Sequence, residues 1–167
     1  MDGTLKEVLR FATSDDIETL RKMRVRYLQE DMGGLTSEQE QQILAQLAEY
    51  FSKHLDRDCF AALVEVDGQA VSFALLSLFE KPANANYLTG ITATLYNVYT
   101  LPDFRRRGYS TRVLKMLIEQ AKKSGASYID LKATKAGKPL YETLGFEEYH
   151  SCCAEMRLQL ISGESPQ

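Results

Sequence analysis

The chain has 167 residues, of which 44% are hydrophobic and 26% are charged, and its formal net charge is −3. This length and composition are typical of one compact globular domain with a sizeable buried core. The small negative charge excludes the global basic field that drives sequence-independent binding to nucleic acid. We therefore expect no nucleic-acid partner.

Hydrophobic runs in this sequence are short. The longest, such as Phe73 to Phe79, are far below the length that crosses a bilayer. Residues Met1 to Thr4 lack the basic-then-apolar layout of a signal peptide. These two features predict a cytoplasmic protein without a membrane partner.

Three cysteines, Cys59, Cys152 and Cys153, cannot all pair among themselves, and the adjacent Cys152 and Cys153 would form only a strained disulfide. Reduced thiols in a reducing compartment fit this pattern better. The only histidines are His54 and His150, and their spacing to the cysteines matches no metal site. We predict that the cysteines pack and that no metal is bound.

The first part of the chain predicts one strand followed by two helices. Residues Lys6 to Thr13 alternate loosely, as a strand does, and Ser14 stands where it can cap the next helix. That helix spans about Asp15 to Gln29, and a second spans about Thr36 to Leu55. Both have apolar residues at helical spacing, which predicts a helical hairpin packed on a core.

A β-hairpin follows. Strands from Asp58 to Val66 and from Gln69 to Phe79 are joined by the dipeptide Asp67-Gly68, which favours a tight turn. The next segment, Glu80 to Gly90, is polar and rich in turn residues, so it predicts a loop. Loops at strand ends often contact ligands.

A strand, a basic turn and an amphipathic helix succeed one another between Ala93 and Ser124. Pro102 ends the strand, and Gly108, preceded by three arginines, allows positive φ or a close approach to a ligand. Free amides and the dipole at the start of the helix favour a phosphate there. The alternative is a basic surface turn that only begins a helix.

The last part of the chain predicts a strand from Tyr128 to Ala133, parallel to the strand that begins at Ala93, because a helix separates the two. A short helix carrying Tyr141 comes next, and a last strand spans about Cys153 to Leu158. We predict a single domain over residues 1–161 and a polar tail over residues 162–167.

The basic turn and its flanks resemble the GNAT superfamily of acetyl-CoA-dependent acetyltransferases. The central motif of that family has Arg or Gln, then Gly, then Gly or Ala at three fixed positions between a strand and a helix. Here Arg105, Gly108 and Ser110 occupy these positions, so the last departs from the pattern by a small residue. Segments Asn97–Pro102 and Leu140–Phe146 are also similar to the family's flanking segments.

This resemblance implies an α/β (α+β) fold. The expected sheet is mixed and mostly antiparallel, with about six or seven strands, about four flanking helices and a parallel, splayed pair of strands at its centre. The fold and the cofactor follow from the resemblance, whereas the substrate does not.

The resemblance also implies a site for acetyl-CoA as co-substrate. The pyrophosphate would bind the amides from Arg106 to Thr111, and the pantetheine arm would pair with the backbone of Val98 to Thr100. A backbone amide near Val98 would polarise the acetyl carbonyl. Thr134 stands where many relatives have asparagine. The predicted cofactor-binding residues are Val98, Tyr99, Thr100, Arg105, Arg106, Arg107, Gly108, Tyr109, Ser110, Thr111 and Thr134.

Tyr141 matches the family tyrosine that donates a proton to the coenzyme A thiolate, and it is the predicted catalytic residue; an aromatic packing role is the alternative. The base that deprotonates the amine is not assigned. Candidates are Glu80 and a water held by Tyr96 or Asn97.

We expect transfer of an acetyl group from acetyl-CoA to a primary amine of a small molecule or protein, by direct attack in a ternary complex. The alternative is a non-catalytic acyl-CoA-binding or regulatory module on the same fold. An unrelated nucleotide binder would need a Walker or dinucleotide motif, and the sequence has neither. The sequence does not identify the acceptor. Arg24 and Tyr27, late in the first helix, either pack in the core or face the acceptor. Homodimers are common in the family, although no stretch of this sequence establishes one.

Overall fold

The computed structural model describes residues 5–161, which form two compact units, residues 5–133 and residues 134–161. The first unit contains a sheet and three helices, and the second contains one short helix. The prediction of one domain over residues 1–161 stays a prediction, and the predicted tail lies outside the described residues. The strands are β1 (Glu7–Phe11), β2 (Cys59–Val66), β3 (Gln69–Glu80), β4 (Ile91–Thr100) and β5 (Ile129–Asp130), and the helices are α1 (Ile17–Asp31), α2 (Ser37–His54), α3 (Tyr109–Lys123) and α4 (Lys138–Thr143).

The five strands form one mixed sheet whose spatial order follows the sequence. β1 to β4 pair antiparallel, and β5 pairs parallel with β4. This confirms the mixed, mostly antiparallel sheet, the four helices and the parallel neighbour of β4. The parallel pair lies at one edge of the five-stranded sheet rather than at its centre.

The predicted number of six or seven strands is not confirmed. Residues 146–161 form no strand, and this range includes the segment Cys153–Leu158 that was expected to be one. Its alternate apolar side chains are exposed, with Met156 at 93% and Leu158 at 82%. A β-strand requires backbone hydrogen bonds to a neighbouring strand. Alternation of apolar and polar residues alone therefore does not produce a strand.

Different helices cover the two faces of the sheet. α3 buries an apolar stripe against β2, β3 and β4. Ser110 at the start of α3 bonds Thr100, whereas Glu30 near the end of α1 bonds the adjacent Tyr99. Because neighbouring residues of a strand point to opposite faces, α3 and α1 lie on opposite sides of β4.

A charged cluster joins β1 to the start of α1. Arg10 donates to both carboxylate oxygens of Asp16, at 2.7 and 2.8 Å, and also to Glu65 on β2. The Arg10 guanidinium, helped by the amide of Thr13, holds the pKa of Asp16 below its usual range. The Thr13 hydroxyl accepts a backbone amide of the following turn, so Thr13 supplies the cap and the predicted Ser14 cap is wrong.

Across residues 5–161, no helix combines the length and the apolar character that a membrane span requires. In the same residues, no three His, Cys, Asp or Glu side chains come together as a metal site would need.

Candidate active site

β4 leaves its parallel neighbour halfway along its length. The two strands pair only at Ala93 with Ile129 and at Thr94 with Asp130, where the Thr94 hydroxyl donates to the Asp130 carboxylate at 2.7 Å. From there β4 continues through the segment Leu95–Thr100, which pairs with β3 on one side. Within the first unit no strand pairs with the other side, so this segment has a free edge that an extended ligand could use.

A β-bulge distorts the free edge at Asn97. Its φ of 55° is left-handed, and the register between β3 and β4 shifts at this point. The residue is only 5% exposed, and its Nδ2 atom has no hydrogen-bond partner among residues 5–161. Bulges re-aim the backbone beside active sites, and an unpaired buried donor costs about 1–3 kcal/mol. Both features are more common beside functional sites than in the regular part of a strand.

The basic turn presents a row of unpaired amides. After the 3-10 turn Pro102–Phe104, the chain takes left-handed φ at Arg106 (66°) and at Gly108 (78°), and α3 then begins. Within residues 5–161, the amides from Arg106 to Thr111 have no hydrogen-bond acceptor. A Cβ atom added at Gly108 would meet nothing within 4 Å. The turn is therefore open, and the helix dipole adds to its preference for an anion.

Arg105 is held by the protein rather than pointing freely into the turn. Its guanidinium donates to Glu30 at 2.6 Å and to the carbonyl oxygen of Thr100 at 2.9 Å. The same carboxylate accepts the Tyr99 hydroxyl at 2.5 Å. These bonds, from Tyr99 first and then Arg105, lower the pKa of Glu30, while burial and the carboxylate raise the pKa of Tyr99 to about 12. Arg105 thus connects α1 to the turn.

The next two arginines differ from Arg105. The Arg107 guanidinium lies 5.2 Å from the centre of the Phe104 ring and donates to the carbonyl oxygen of Asp103 at 3.2 Å. The Arg106 side chain is exposed, and within residues 5–161 it forms no hydrogen bond or ion pair. Of the three arginines of the turn, Arg106 is therefore the one whose guanidinium contacts no acceptor or aromatic ring in residues 5–161.

Tyr109 and Ser110 anchor the start of α3. The buried Tyr109 hydroxyl donates to Glu7 on β1 at 2.6 Å, and Arg112 donates to the same carboxylate at 2.7 Å. The Ser110 hydroxyl bonds the Thr100 hydroxyl at 2.9 Å. A serine in place of the family's Gly or Ala is accommodated because Thr100 satisfies its hydroxyl. Only the backbone amides of these two residues remain for a ligand.

The two predicted site residues of the second unit lie close together in the chain. The Thr134 hydroxyl accepts the amide of Gly137 at 3.1 Å, in the turn that leads into α4. Tyr141 is half-buried on α4, and its ring contacts that of Phe146 edge-on at 6.0 Å between centroids. Thr134 therefore has a local structural role as well as its predicted place in the cofactor site.

A cluster of hydroxyls lies under the free edge of β4. The Tyr96 hydroxyl is 2.7 Å from that of Ser77 and 3.3 Å from that of Tyr50, and the Cys59 thiol is 3.9 Å from it. Burial raises the pKa of Tyr96, of Tyr50 and of the Cys59 thiol, so all three are neutral at ordinary pH. Glu80, the other candidate for a base, is exposed at the end of β3.

Sequence reasoning missed three residues of this region. Glu30 and Glu7 hold the turn from α1 and β1, and Tyr50 completes the hydroxyl cluster from α2. An acidic residue one turn beyond Tyr27 was a usable signal for Glu30. Nothing in the sequence near Glu7 indicated a contact with α3, because the two segments are far apart in the chain.

A mixed sheet whose parallel strands pair over only two residues, followed by a basic turn of unpaired amides, fits the acetyltransferase class that the sequence resembles. Comparison of the chain with known protein families agrees with this class. A profile of the Acetyltransferase (GNAT) family matches residues 20–146, which is more than half of the chain. The chain belongs to the GNAT acetyltransferase family.

Individual relatives include a solved structure and two proteins matched by sequence. The crystal structure of a predicted acetyltransferase with acetyl-CoA from Clostridium acetobutylicum has a TM-score of 0.79 and 27% identity, covering 91% of this chain and 96% of that one. An uncharacterized N-acetyltransferase of Methanocaldococcus jannaschii is 32% identical over 107 residues, 59% of this chain and 44% of the relative. The ribosomal protein bS18 alanine N-acetyltransferase of Escherichia coli is 37% identical over 59 residues, 34% of this chain and 40% of the relative. The matches thus span less than half the length of either of these two relatives.

Proposed function

We propose that this chain transfers an acetyl group from acetyl-CoA to a primary amine, by direct attack of the amine in a ternary complex. The observation that carries the proposal is the row of unpaired amides from Arg106 to Thr111, directly after a strand whose edge is free from Leu95 to Thr100. Family membership supports acyl transfer as the class of reaction. The names of the relatives support nitrogen as the acceptor atom.

The residues of the turn fit a diphosphate. Consecutive amides and the start of α3 supply donors and a favourable dipole, and the exposed Arg106 supplies a charge that the protein does not neutralise. The space beside Gly108 allows the ligand to approach the backbone. When bound, acetyl-CoA supplies the activated thioester.

The extended segment after the bulge suits the rest of the cofactor. The backbone groups of Val98 to Thr100 can pair with the pantetheine arm as an added strand would. The Thr100 carbonyl is the exception, because it already accepts Arg105. An amide near the bulge then stabilises negative charge on the carbonyl oxygen as the amine attacks.

Proton transfers accompany the proposed reaction. The amine nitrogen forms a bond to the carbonyl carbon, the carbon–sulfur bond breaks, and the Tyr141 hydroxyl gives its proton to the departing sulfur. A phenol of ordinary pKa, about 10, is protonated at neutral pH and can donate, and a thiol pKa of about 8.5 makes the thiolate a tolerable leaving group without help. The acceptor ammonium loses one proton to water before the attack, and the nitrogen loses a second proton after it, which returns through water to the Tyr141 oxygen and restores the hydroxyl.

Thermal unfolding with candidate ligands tests the cofactor. Acetyl-CoA should raise the melting temperature, and ATP and NAD at the same concentration should not. Thiol release in the presence of a panel of amines then tests turnover. Stabilisation without thiol release from any amine would identify the non-catalytic acyl-CoA-binding module, and indifference to acetyl-CoA at millimolar concentration would contradict the proposal.

A further inference from the structure

Arg24 on α1 carries a charge that the protein does not neutralise. Its guanidinium carbon lies 5.9 Å from the centre of the Tyr96 ring, and among residues 5–161 it has no hydrogen bond and no carboxylate within 4 Å. Two other cations of the helix, Arg21 and Lys22, both pair with Glu18, and the fourth, Arg26, is exposed to solvent. Burial lowers the pKa of Arg24, so the cation loses solvation without gaining a counter-ion.

The ionisable groups that act most strongly on Arg24 are neutral. They are three tyrosines, Tyr27, Tyr50 and Tyr96, and the Cys59 thiol. The Asp31 carboxylate interacts with Tyr27 and is not among them. The hydroxyls of Tyr50 and Tyr96 meet at the Ser77 hydroxyl, at 3.1 and 2.7 Å. A positive charge beside hydroxyl donors favours an oxyanion and repels a second cation.

This charge lies beside the part of β4 that the reaction would use. Tyr96 belongs to the free-edge segment and immediately precedes the bulge at Asn97. α1 runs alongside this part of β4, because Arg24 lies over Tyr96 and Glu30, later in the helix, accepts the hydroxyl of Tyr99. Arg24 is therefore close to the point at which an acceptor would meet the thioester, if the proposed function holds.

We infer that the acceptor is an amine that also carries an oxyanion, either a carboxylate or a phosphate, and that Arg24 binds this oxyanion. The inference rests on the proposed acetyl transfer and narrows its substrate. The planar guanidinium of arginine offers paired donors that match a carboxylate or phosphate. Polycations such as polyamines and aminoglycosides are disfavoured, because an unneutralised cation meets them at the site.

Matched pairs of amines test this inference. One pair is an amino acid and its carboxamide, and the other is an amino sugar phosphate and the unphosphorylated amino sugar. For wild-type protein, the oxyanion-bearing member of one pair should have kcat/KM roughly 10- to 100-fold above that of its neutral partner. The pair that shows the preference distinguishes carboxylate from phosphate.

Arg24→Gln should remove that preference. The ratio within the preferred pair should fall to about one through KM of the acceptor, while KM of acetyl-CoA is unchanged. The control is Arg26→Gln, which changes an exposed arginine of the same helix and should keep the ratio. Arg24→Lys keeps the charge without the planar fork and should retain part of the preference. Because Arg24→Gln removes an unpaired charge, its melting temperature should not fall.

The outcomes separate the two proposals. Equal or better turnover of polycationic amines, or an unchanged ratio in Arg24→Gln, overturns the role of Arg24 and leaves acetyl transfer standing. A merely structural role for Arg24 would lower kcat/KM for both members of each pair alike. Absence of thiol release from every amine overturns the proposed function and this inference with it.

Discussion

At Gly108 an added side chain would meet no protein atom, so we expect it to interfere only with the proposed ligand. The φ of Gly108 is 78°, and an added Cβ would have no protein atom within 4 Å. Gly108→Val should therefore cost about 1–2 kcal/mol through backbone strain and should weaken acetyl-CoA binding roughly 100-fold by covering the amides. Isothermal titration calorimetry on the folded variant measures the second effect.

The chain provides a matched control at the other end of α3. Gly125 has a φ of 74°, and a Cβ there would also meet nothing within 4 Å. Gly125→Val should lose similar stability and keep its affinity for acetyl-CoA. If both variants bind alike, or if Gly108→Val binds as tightly as wild type, the turn is not the phosphate site.

The arginines of the turn should separate into structural and ligand-binding residues. Arg105 bonds Glu30 and Thr100, whereas Arg106 is exposed and unpaired within residues 5–161. Arg106→Gln should weaken acetyl-CoA binding roughly 10-fold with little change in melting temperature. Arg105→Gln should lower the melting temperature, because it leaves Glu30 with one donor fewer. The reverse pattern would exchange the two roles.

Tyr141 is the residue whose removal should affect the rate and not the binding. Tyr141→Phe keeps the edge-on ring contact with Phe146 and deletes the hydroxyl. We expect kcat to fall by roughly 100-fold, with KM for acetyl-CoA unchanged, when chemistry limits turnover. Pre-steady-state thiol release reports the chemical step directly. An unaltered rate would remove Tyr141 as the proton donor.

At the level of elements, the succession of β4, basic turn and α3 was predictable because it is local. Each signal lies within a few residues of sequence: the composition of the strand, Pro102 after it, and the apolar stripe of the helix. The turn and α3 lie where these signals predict them. The free edge was only implied by resemblance. It depends on how soon β5 leaves β4, and β5 is short, Ile129–Asp130 instead of the predicted Tyr128–Ala133.

The contacts that hold the turn could not be predicted, because they join distant segments. Glu30 reaches Arg105 across 75 positions, and Glu7 reaches Arg112 across 105. No periodic pattern encodes such a pair. The pairing of a terminal strand has the same difficulty: Cys153–Leu158 alternates as a strand should, and the ladder partner that would make it one is not a property of the segment.

At the scale of the whole molecule, three ion pairs between a carboxylate and an arginine connect segments that are distant or separate in the first unit. Asp16 binds Arg10, Glu30 binds Arg105 and Glu7 binds Arg112. The pKa of each of the three carboxyl groups is lowered by its hydrogen bonds. Acid should therefore weaken the fold at several points together.

Asp16 is the least exposed of the three and should contribute most. Because its folded pKa lies below the ordinary value of 3.8, the ion pair stabilises the fold fully above about pH 4, and this stability is lost as the pH falls through the folded pKa. Asp16→Asn should cost about 1–3 kcal/mol at pH 7 and less as the pH falls, so the melting temperatures of wild type and variant should converge below pH 4. Asp15→Asn, at the exposed neighbour, is the control and should follow wild type throughout. A constant gap between wild type and Asp16→Asn from pH 7 to pH 3 would show that the Arg10 cluster does not set the acid sensitivity of the fold.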